Sequence, residues 1–62
     1  MTTAEATLDA MPCFIRYRSA RFVQTGKAAP HTQTGEWGAE YENVDVDGDR
    51  VWAFPSGLVL ED

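Results

Sequence analysis

The sequence predicts a mainly β protein: a small antiparallel sheet or incomplete barrel, made of a bulged N-terminal strand and a C-terminal three-stranded meander, with at most one short N-terminal helix. Three features predict this class. Residues 13–24 are rich in aromatic and β-branched side chains, Asp47 and Gly48 lie between two further runs of this kind, and Pro55 and Gly57 mark a second turn before the last apolar run. A chain of 62 residues forms one domain at most.

The first eleven residues are expected to form a flexible tail or a short helix, ahead of a single β domain over residues 12–62. Thr2 and Glu5 have the spacing of a capping box, and Pro12 ends the helical pattern. One face of such a helix carries Ala4, Leu8 and Met11. Because so short a helix is not stable alone, we expect it to order only if Leu8 and Met11 dock on the sheet.

Residues 13–24 form the clearest predicted strand. Its first half places Cys13, Ile15 and Tyr17 on one face and Arg16 and Arg18 on the other. In the second half the alternation changes phase. We interpret this as a β-bulge at Ser19 and Ala20, because Ser-Ala is an unfavourable pair for a two-residue hairpin turn.

Residues 25–39 are predicted to be a long loop, with a short strand near residues 32–34. The segment contains three glycines, three threonines and a proline. Loops of this length in compact domains are usually functional or mobile. Trp37, which lies between Gly35 and Gly38, is expected to pin the end of the loop to the core.

The segment NVDVDGDRVWAFPSG, residues 43–57, allows two interpretations, a calcium loop or a β-hairpin. An EF-hand loop needs oxygen ligands at positions 1, 3 and 5, glycine at position 6 and glutamate at position 12. Counted from the first residue, position 12 is Phe54; counted from Asp45, an arginine stands where glycine is required. The calcium interpretation fails in both registers, and Asp47-Gly48 predicts a hairpin turn.

Two registers of this hairpin stay open. A two-residue loop at Asp47-Gly48 pairs Val44 with Val51. It places Val44, Val46, Val51 and Ala53 on one face and Tyr41, Trp52 and Phe54 on the other. A three-residue loop with Gly48 in the left-handed region changes the parity, so that Trp52 and Phe54 share a face with Val44. Burial of Trp52 is expected in either case, because large aromatic residues dominate small cores.

The net charge of −5 is unevenly distributed along the chain. Residues 13–34 carry four basic side chains and no acid, whereas residues 35–62 carry eight acids and one base. The two parts can neutralise each other or present two differently charged faces to partners. Cys13 is the only cysteine, which excludes an intramolecular disulfide. No apolar run is long enough to span a membrane and no secretory signal is evident, so a soluble cytoplasmic protein is expected.

Catalysis, metal binding and a cofactor are not expected. A nucleophilic site would rest on Cys13 and His31, which we interpret as a buried, inert thiol and an exposed loop histidine. Carboxylates of the hairpin can pair for acid-base work, but so short a chain leaves little volume for a pocket. A zinc site would lack ligands.

Among the possible functional features of the sequence, an acidic surface accounts for the largest number of residues. Between Glu36 and Asp49 there are six carboxylates and no base, and Glu40 and Glu42 alternate so that they project to one side. The predicted contacts to a larger protein with a basic surface are Glu36, Trp37, Glu40, Tyr41, Glu42, Asp45, Asp47 and Asp49. The sequence therefore favours a small non-enzymatic binding protein that regulates or inhibits a larger macromolecule, by analogy with phage or mobile-element modulators. Solubility and protection of sheet edges are the competing explanation of the acids.

Two alternative functions stay open. Arg16, Tyr17, Arg18 and Arg21 interleave cations with an aromatic ring, as do β modules that bind single-stranded nucleic acid. The overall acidity opposes phosphate binding. The open edges of so small a sheet also suit a homodimer or a structural subunit of a homo-oligomeric assembly. No membrane partner is expected.

Overall fold

The computed structural model describes residues 3–61. Within this range the chain forms one helix and five strands: α1 (Thr3–Ala10), β1 (Phe14–Tyr17), β2 (Ala20–Pro30), β3 (Trp37–Asn43), β4 (Arg50–Ala53) and β5 (Val59–Glu61). The strands pair antiparallel in chain order, from β1 to β5, in a single sheet curled into a half-barrel. The predicted mainly β class, with a short helix and a C-terminal meander, is confirmed.

The core lies on the inner face of the curled sheet, which is the face that α1 covers. Antiparallel pairing places Tyr41 opposite Val51 and Ala39 opposite Ala53, and these four side chains are buried together with Phe22. Complete burial of a large apolar side chain contributes about 1.5–3 kcal/mol to stability. This cluster is therefore the hydrophobic core of the chain.

The helical segment docks on this inner face. Leu8 of α1 and Met11, just beyond it, pack against the core cluster. The side-chain amide of Gln24 donates a hydrogen bond to the Leu8 carbonyl at 3.3 Å, and the Tyr41 hydroxyl donates to the Pro12 carbonyl at 2.5 Å. The expected docking of Leu8 and Met11 is confirmed, and two hydrogen bonds from the sheet hold the segment in place.

The predicted capping box needs Thr2, which lies outside the described residues. α1 is eight residues long. Within residues 3–61, no helix is long and apolar enough to cross a membrane.

The prediction of one bulged strand over residues 13–24 is wrong, because the segment is a hairpin. Tyr17 pairs with Ala20, and Arg18 and Ser19 form a two-residue turn with φ values of 52° and 65°. Positive φ at both positions is the geometry of a type I′ turn, which normally favours asparagine and glycine. Across this turn the inner face passes from odd-numbered to even-numbered residues, which explains the change of phase.

The predicted loop over residues 25–39 is mostly strand, since β2 continues to Pro30 and only residues 31–36 connect it to β3. The predicted short strand near residues 32–34 is not formed. Between the pairs Gln24↔Tyr41 and Ala28↔Ala39, residues 25–27 lie opposite a single residue of β3. Gly26, within this bulge, has a φ of 96°, which glycine adopts without strain. The small residues of this segment therefore belong partly to a bulge within a strand.

The hairpin of β3 and β4 adopts neither predicted register. Glu42 pairs with Arg50, and a hydrogen bond of 2.8 Å from the Asn43 N–H to the Asp49 carbonyl closes a loop of residues 44–48. Gly48 has a φ of 83°, as the three-residue alternative required, but the loop is longer than either prediction. Side chains at the base of the loop, described below, make this longer connection favourable.

The observed register decides which side chains enter the core. Tyr41 and Val51 share the inner face, whereas Trp52 lies on the outer face opposite Glu40 and is only half-buried. The expected burial of Trp52 is therefore not complete. Phe54, immediately after β4, is buried, and the turn that follows it is the predicted one: the Phe54 N–H donates to the Leu58 carbonyl at 2.9 Å.

Candidate interaction surfaces

The loop between β3 and β4 is held in one conformation by side chains at its base. The Asn43 amide oxygen accepts from the Asp45 N–H at 2.8 Å, and its nitrogen donates to the Asp49 carboxylate at 3.1 Å. A Glu42 carboxylate oxygen accepts from the N–H of the loop glycine at 3.1 Å. Such side-chain hydrogen bonds to local backbone fix turn geometry. Residues 44–49, which we call the acidic loop, are therefore preorganised.

Two branched apolar side chains are exposed on the acidic loop. Val44 is 49% exposed and Val46 is 53% exposed, and Asp45 and Asp47 beside them are also exposed. The two-residue register places both valines on a strand face, and the three-residue register places Val44 there, whereas the observed longer loop leaves both at its surface. Apolar side chains grouped with oriented polar groups are typical of contact sites. These two valines are contact candidates that were absent from the predicted set.

Glu40 and Tyr41 do not belong to an exposed surface. Tyr41 is fully buried on the inner face, and burial raises the pKa of its phenol. Glu40 does project to the same side as Glu42, as predicted from alternation, but it is only 6% exposed. Its carboxylate accepts from the Thr25 hydroxyl at 2.9 Å. Both side chains are enclosed by the fold, and neither is available to a partner.

Glu36 and Trp37 lie at the opposite end of β3 from the acidic loop. Both oxygens of the Glu36 carboxylate accept hydrogen bonds of 3.0 Å from Ser56, one from its N–H and one from its hydroxyl. Trp37 is half-buried at the start of β3. Glu36 therefore ties two turns together, and the predicted acidic surface is reduced to the acidic loop and Glu42 at its base.

Arg16 and Arg21 lie directly opposite each other on the outer face of β1 and β2. The hydrogen bond from the Gln24 N–H to the Cys13 carbonyl fixes the alternation of the ladder and makes the two arginines a non-hydrogen-bonded pair, the kind with the closest side chains. Neither arginine has an ion pair with a carboxylate of residues 3–61. Like charges in this position are destabilising. Phe14, 61% exposed, lies on the same outer face.

Tyr17 and Arg18 are engaged at the edge of the sheet instead. Arg18 forms an ion pair with Glu61 of β5, and the Tyr17 hydroxyl donates to the same carboxylate at 3.1 Å. The hydrogen bond from Arg18 is the main cause that lowers the pKa of Glu61, and the same bond raises the pKa of Arg18. We call this contact the clasp. The predicted nucleic-acid set is thus divided between the outer face and the clasp.

An apolar cleft of about 480 Å³ opens between β1 and β5 on the inner side of the sheet. Its lining includes Met11, Pro12, Ile15, Ala53, Phe54 and Val59. Arg16 also contributes to the lining. Sequence reasoning allowed little volume for a pocket and missed this cleft, because the cleft forms between the two strands that are farthest apart in the sheet order.

The two candidate nucleophilic residues are placed differently from the prediction. Cys13, predicted to be buried, is exposed. His31, predicted to be exposed, is half-buried: its ring meets the Phe54 ring edge-on at 5.4 Å between centroids, and its Nδ1 accepts from the Gln33 N–H at 3.0 Å. His31 therefore organises its own loop. No cluster of three potential metal ligands occurs within residues 3–61.

Comparisons of this chain with models of known protein families, with curated proteins and with solved structures give no match. The acidic loop, the arginine pair and the cleft therefore support functional inference only through their own geometry.

Proposed function

We propose that this protein is a small non-enzymatic binding protein whose acidic loop docks in an apolar groove with a basic rim on a larger protein. The observation that carries the proposal is the exposure of Val44 and Val46, each next to an exposed aspartate, on a preorganised loop. The proposed contacts are Val44, Asp45, Val46, Asp47 and Asp49. Occupation of such a groove excludes other anionic ligands, so the proposed consequence is regulation or inhibition of the larger protein.

The valines and the aspartates of the acidic loop would contribute to binding in different ways. Because the loop is already ordered by its base, binding costs little conformational entropy. Burial of the exposed halves of the two valines contributes on the order of 2 kcal/mol. The aspartates accelerate association with a basic surface and reject acidic ones, an effect that weakens as salt increases.

The test compares binding of a partner captured from the source organism to loop variants of the tagged chain. Val44→Ser with Val46→Ser should lower affinity, and Asp45→Lys with Asp47→Lys should slow association. The matched control is Leu58→Ser, since Leu58 is 41% exposed but lies in the β4–β5 turn. Circular dichroism checks that each variant is folded. Equal binding by both loop variants and the control would refute the proposal.

A second candidate function, binding of single-stranded nucleic acid, is favoured by one observation. Arg16 and Arg21 face each other without an anionic partner among residues 3–61, and Phe14 on the same face is exposed. Bound phosphate would relieve the repulsion, and the ring would stack on a base. Affinity for a single-stranded oligonucleotide should then fall steeply with salt and vanish in Arg16→Ala with Arg21→Ala. A flat salt dependence would exclude this function.

We propose that the protein is cytoplasmic. Its only cysteine, Cys13, is exposed and unpaired. Reducing compartments keep such a thiol free, whereas oxidising compartments favour mixed disulfides.

A further inference from the structure

Going beyond the proposed function, we infer that the gap between β1 and β5 is a separate binding site, which takes an extended segment of another protein as a sixth strand. The site consists of the two unpaired sheet edges and the apolar cleft between them. It lies apart from the acidic loop.

Strand direction fits a single inserted segment. Each strand of the sheet runs antiparallel to the next, so β1 and β5, as the first and fifth, run in the same direction. A segment that runs opposite to both can form antiparallel ladders with both edges. It would convert the half-barrel into a closed barrel of six antiparallel strands, which removes the open edges.

The backbone groups needed for these ladders face the gap. The hydrogen-bonded pair of Cys13, just before β1, and Gln24 sets an alternation in which Phe14 and Arg16 direct their N–H and C=O groups away from β2. For β5, the hydrogen bond from the Phe54 N–H to the carbonyl of Leu58, just before the strand, sets the corresponding alternation. It leaves Val59 and Glu61 facing away from β4. Four residues thus present unpaired ladder groups to an inserted strand.

The side chains beside the gap define the chemistry of the segment. Its inward-pointing residues would enter the cleft against Ile15 and Val59, which are apolar. Its outward-pointing residues would lie beside Arg16, which has no carboxylate partner among residues 3–61 and faces the repulsion of Arg21. An acidic residue there gains an ion pair and relieves that repulsion. The expected ligand is therefore an extended segment in which apolar and acidic residues alternate.

A second copy of the chain does not supply this segment. An inserted strand needs both of its own edges unpaired. In the described chain, however, β2, β3 and β4 are paired on both sides, and β1 and β5 are each paired on one side. Insertion of any of them would require the donor sheet to come apart. The occupant is thus a segment of a different protein that is unstructured before it binds.

The clasp sets the position of the segment within the gap. Among residues 3–61, the edges of β1 and β5 are bridged by side-chain contacts of Glu61 with Tyr17 and Arg18. These contacts close one end of the gap. The cleft, whose lining includes Pro12 and Pro55, is the open part. The segment is therefore expected to pair with Phe14 and Val59, on the cleft side of the clasp.

The experiment begins with selection of random twelve-residue peptides, displayed on phage, against the purified full chain. Binding of the selected peptides is then measured by fluorescence anisotropy against two matched variants. Phe14→Pro removes an N–H that faces the gap, and edge strands tolerate proline there; Phe14→Ala removes the same exposed ring but keeps the N–H. Amide hydrogen exchange with and without peptide locates the contact.

We expect selected peptides with alternating apolar and acidic residues, bound at least about tenfold more weakly by Phe14→Pro. Phe14→Ala and the loop variant Asp47→Lys should bind like the wild type, and Arg16→Glu should bind more weakly. The peptide should protect the amides of Phe14 and Val59 from exchange. Retention of Asp47→Lys binding separates this site from the acidic loop, so either proposal can fail without the other.

Three results would overturn the inference. The first is selection of no sequence beyond those that the Phe14→Pro protein also selects. The second is equal binding by the proline and alanine variants, or protection of the acidic loop in place of the edge amides. The third is self-association of the wild type in sedimentation that Phe14→Pro abolishes, because a second copy would then be the occupant.

Discussion

Gly38→Ala tests the packing at the end of the sheet. Both the sign and the size of the change in the free energy of unfolding are informative. A Cβ atom at Gly38 would lie 2.5 Å from Phe54 Cδ2 and 2.7 Å from the Ala53 carbonyl oxygen. Carbon atoms pack at about 3.5–4.0 Å, so the Phe54 ring must shift by about 1 Å. The Ala53 carbonyl belongs to β4 and cannot follow without distortion of the ladder with β3.

Two opposing effects determine how much Gly38→Ala changes the free energy of unfolding. Gly38 does not have a positive φ, so alanine in an open strand position would raise the free energy of unfolding by about 0.5–1 kcal/mol. Overpacking in a close-packed site typically costs about 1–3 kcal/mol. The free energy of unfolding should therefore fall by about 1–2 kcal/mol, a large part of the roughly 3–5 kcal/mol expected for so small a domain. In a domain of this size the melting temperature falls by roughly 4–8 °C for each kcal/mol.

The assay is urea denaturation followed by tryptophan fluorescence, with Phe54→Val as the control background. Valine at this position lacks both ring atoms that the new Cβ would contact, so the cost of Gly38→Ala should fall by about 1 kcal/mol in that background. The contact with the Ala53 carbonyl would account for the remainder. An increase in stability on Gly38→Ala in the wild type would refute the packing of Phe54 on this glycine.

Three further predictions concern charge and pH. Arg16→Glu should raise the free energy of unfolding by about 0.2–1 kcal/mol at low salt, because it replaces a repulsive pair with Arg21 by an attractive one. If chemical denaturation shows that the free energy of unfolding falls instead, the register of β1 and β2 is contradicted. Burial raises the pKa of Tyr41 above its usual 10.0. The neutral phenol therefore contributes fully to the stability of the fold below pH 10, and this contribution is lost as pH rises through the folded pKa. Tyr41→Phe should cost about 1 kcal/mol at neutral pH and lose less stability in alkali than the wild type, and equal losses would argue against burial of the phenol. Arg18 lowers the pKa of Glu61 below 4.5, so the clasp stabilises above pH 4.5 and is lost as pH falls through the folded pKa. Acid titration of Glu61→Gln should therefore show a shallower decline, and an unchanged curve would mean that the clasp contributes nothing.

The C-terminal meander could be predicted from sequence because its turns carry strong local signals. Gly48 and Gly57 both have positive φ, and the runs around them are rich in strand-forming residues. The register of the first hairpin could not be predicted. It depends on the Asn43 and Glu42 side chains, which hydrogen-bond to the backbone of the loop and favour a longer connection than Asp47-Gly48 alone indicates.

The first hairpin was missed because its turn breaks the usual residue preference. Arg18 and Ser19 both adopt positive φ, which side-chain-bearing residues other than asparagine and aspartate rarely do. The ion pair of Arg18 with Glu61 at the far edge of the sheet helps to hold this turn. That contact joins residues distant in sequence, so no local pattern indicates it.

The candidate site could be predicted only in part. The aspartates of the acidic loop are exposed, as expected of turn residues. Burial of Tyr41 and Glu40 and exposure of Val44 and Val46 all follow from the observed register. A shift of register exchanges the two faces of a strand, so these assignments could not be made before the register was known.

Contact of the acidic loop with a larger protein is best tested by site-specific photo-crosslinking in extract of the source organism. A photoreactive amino acid replaces Val46 in one protein and Leu58 in another, with Phe14 as a third position, and the adducts are analysed with and without nuclease. We expect a single protein adduct at position 46 that survives nuclease and is absent at position 58. Equal adducts at 46 and 58, or nuclease-sensitive adducts confined to position 14, would contradict it.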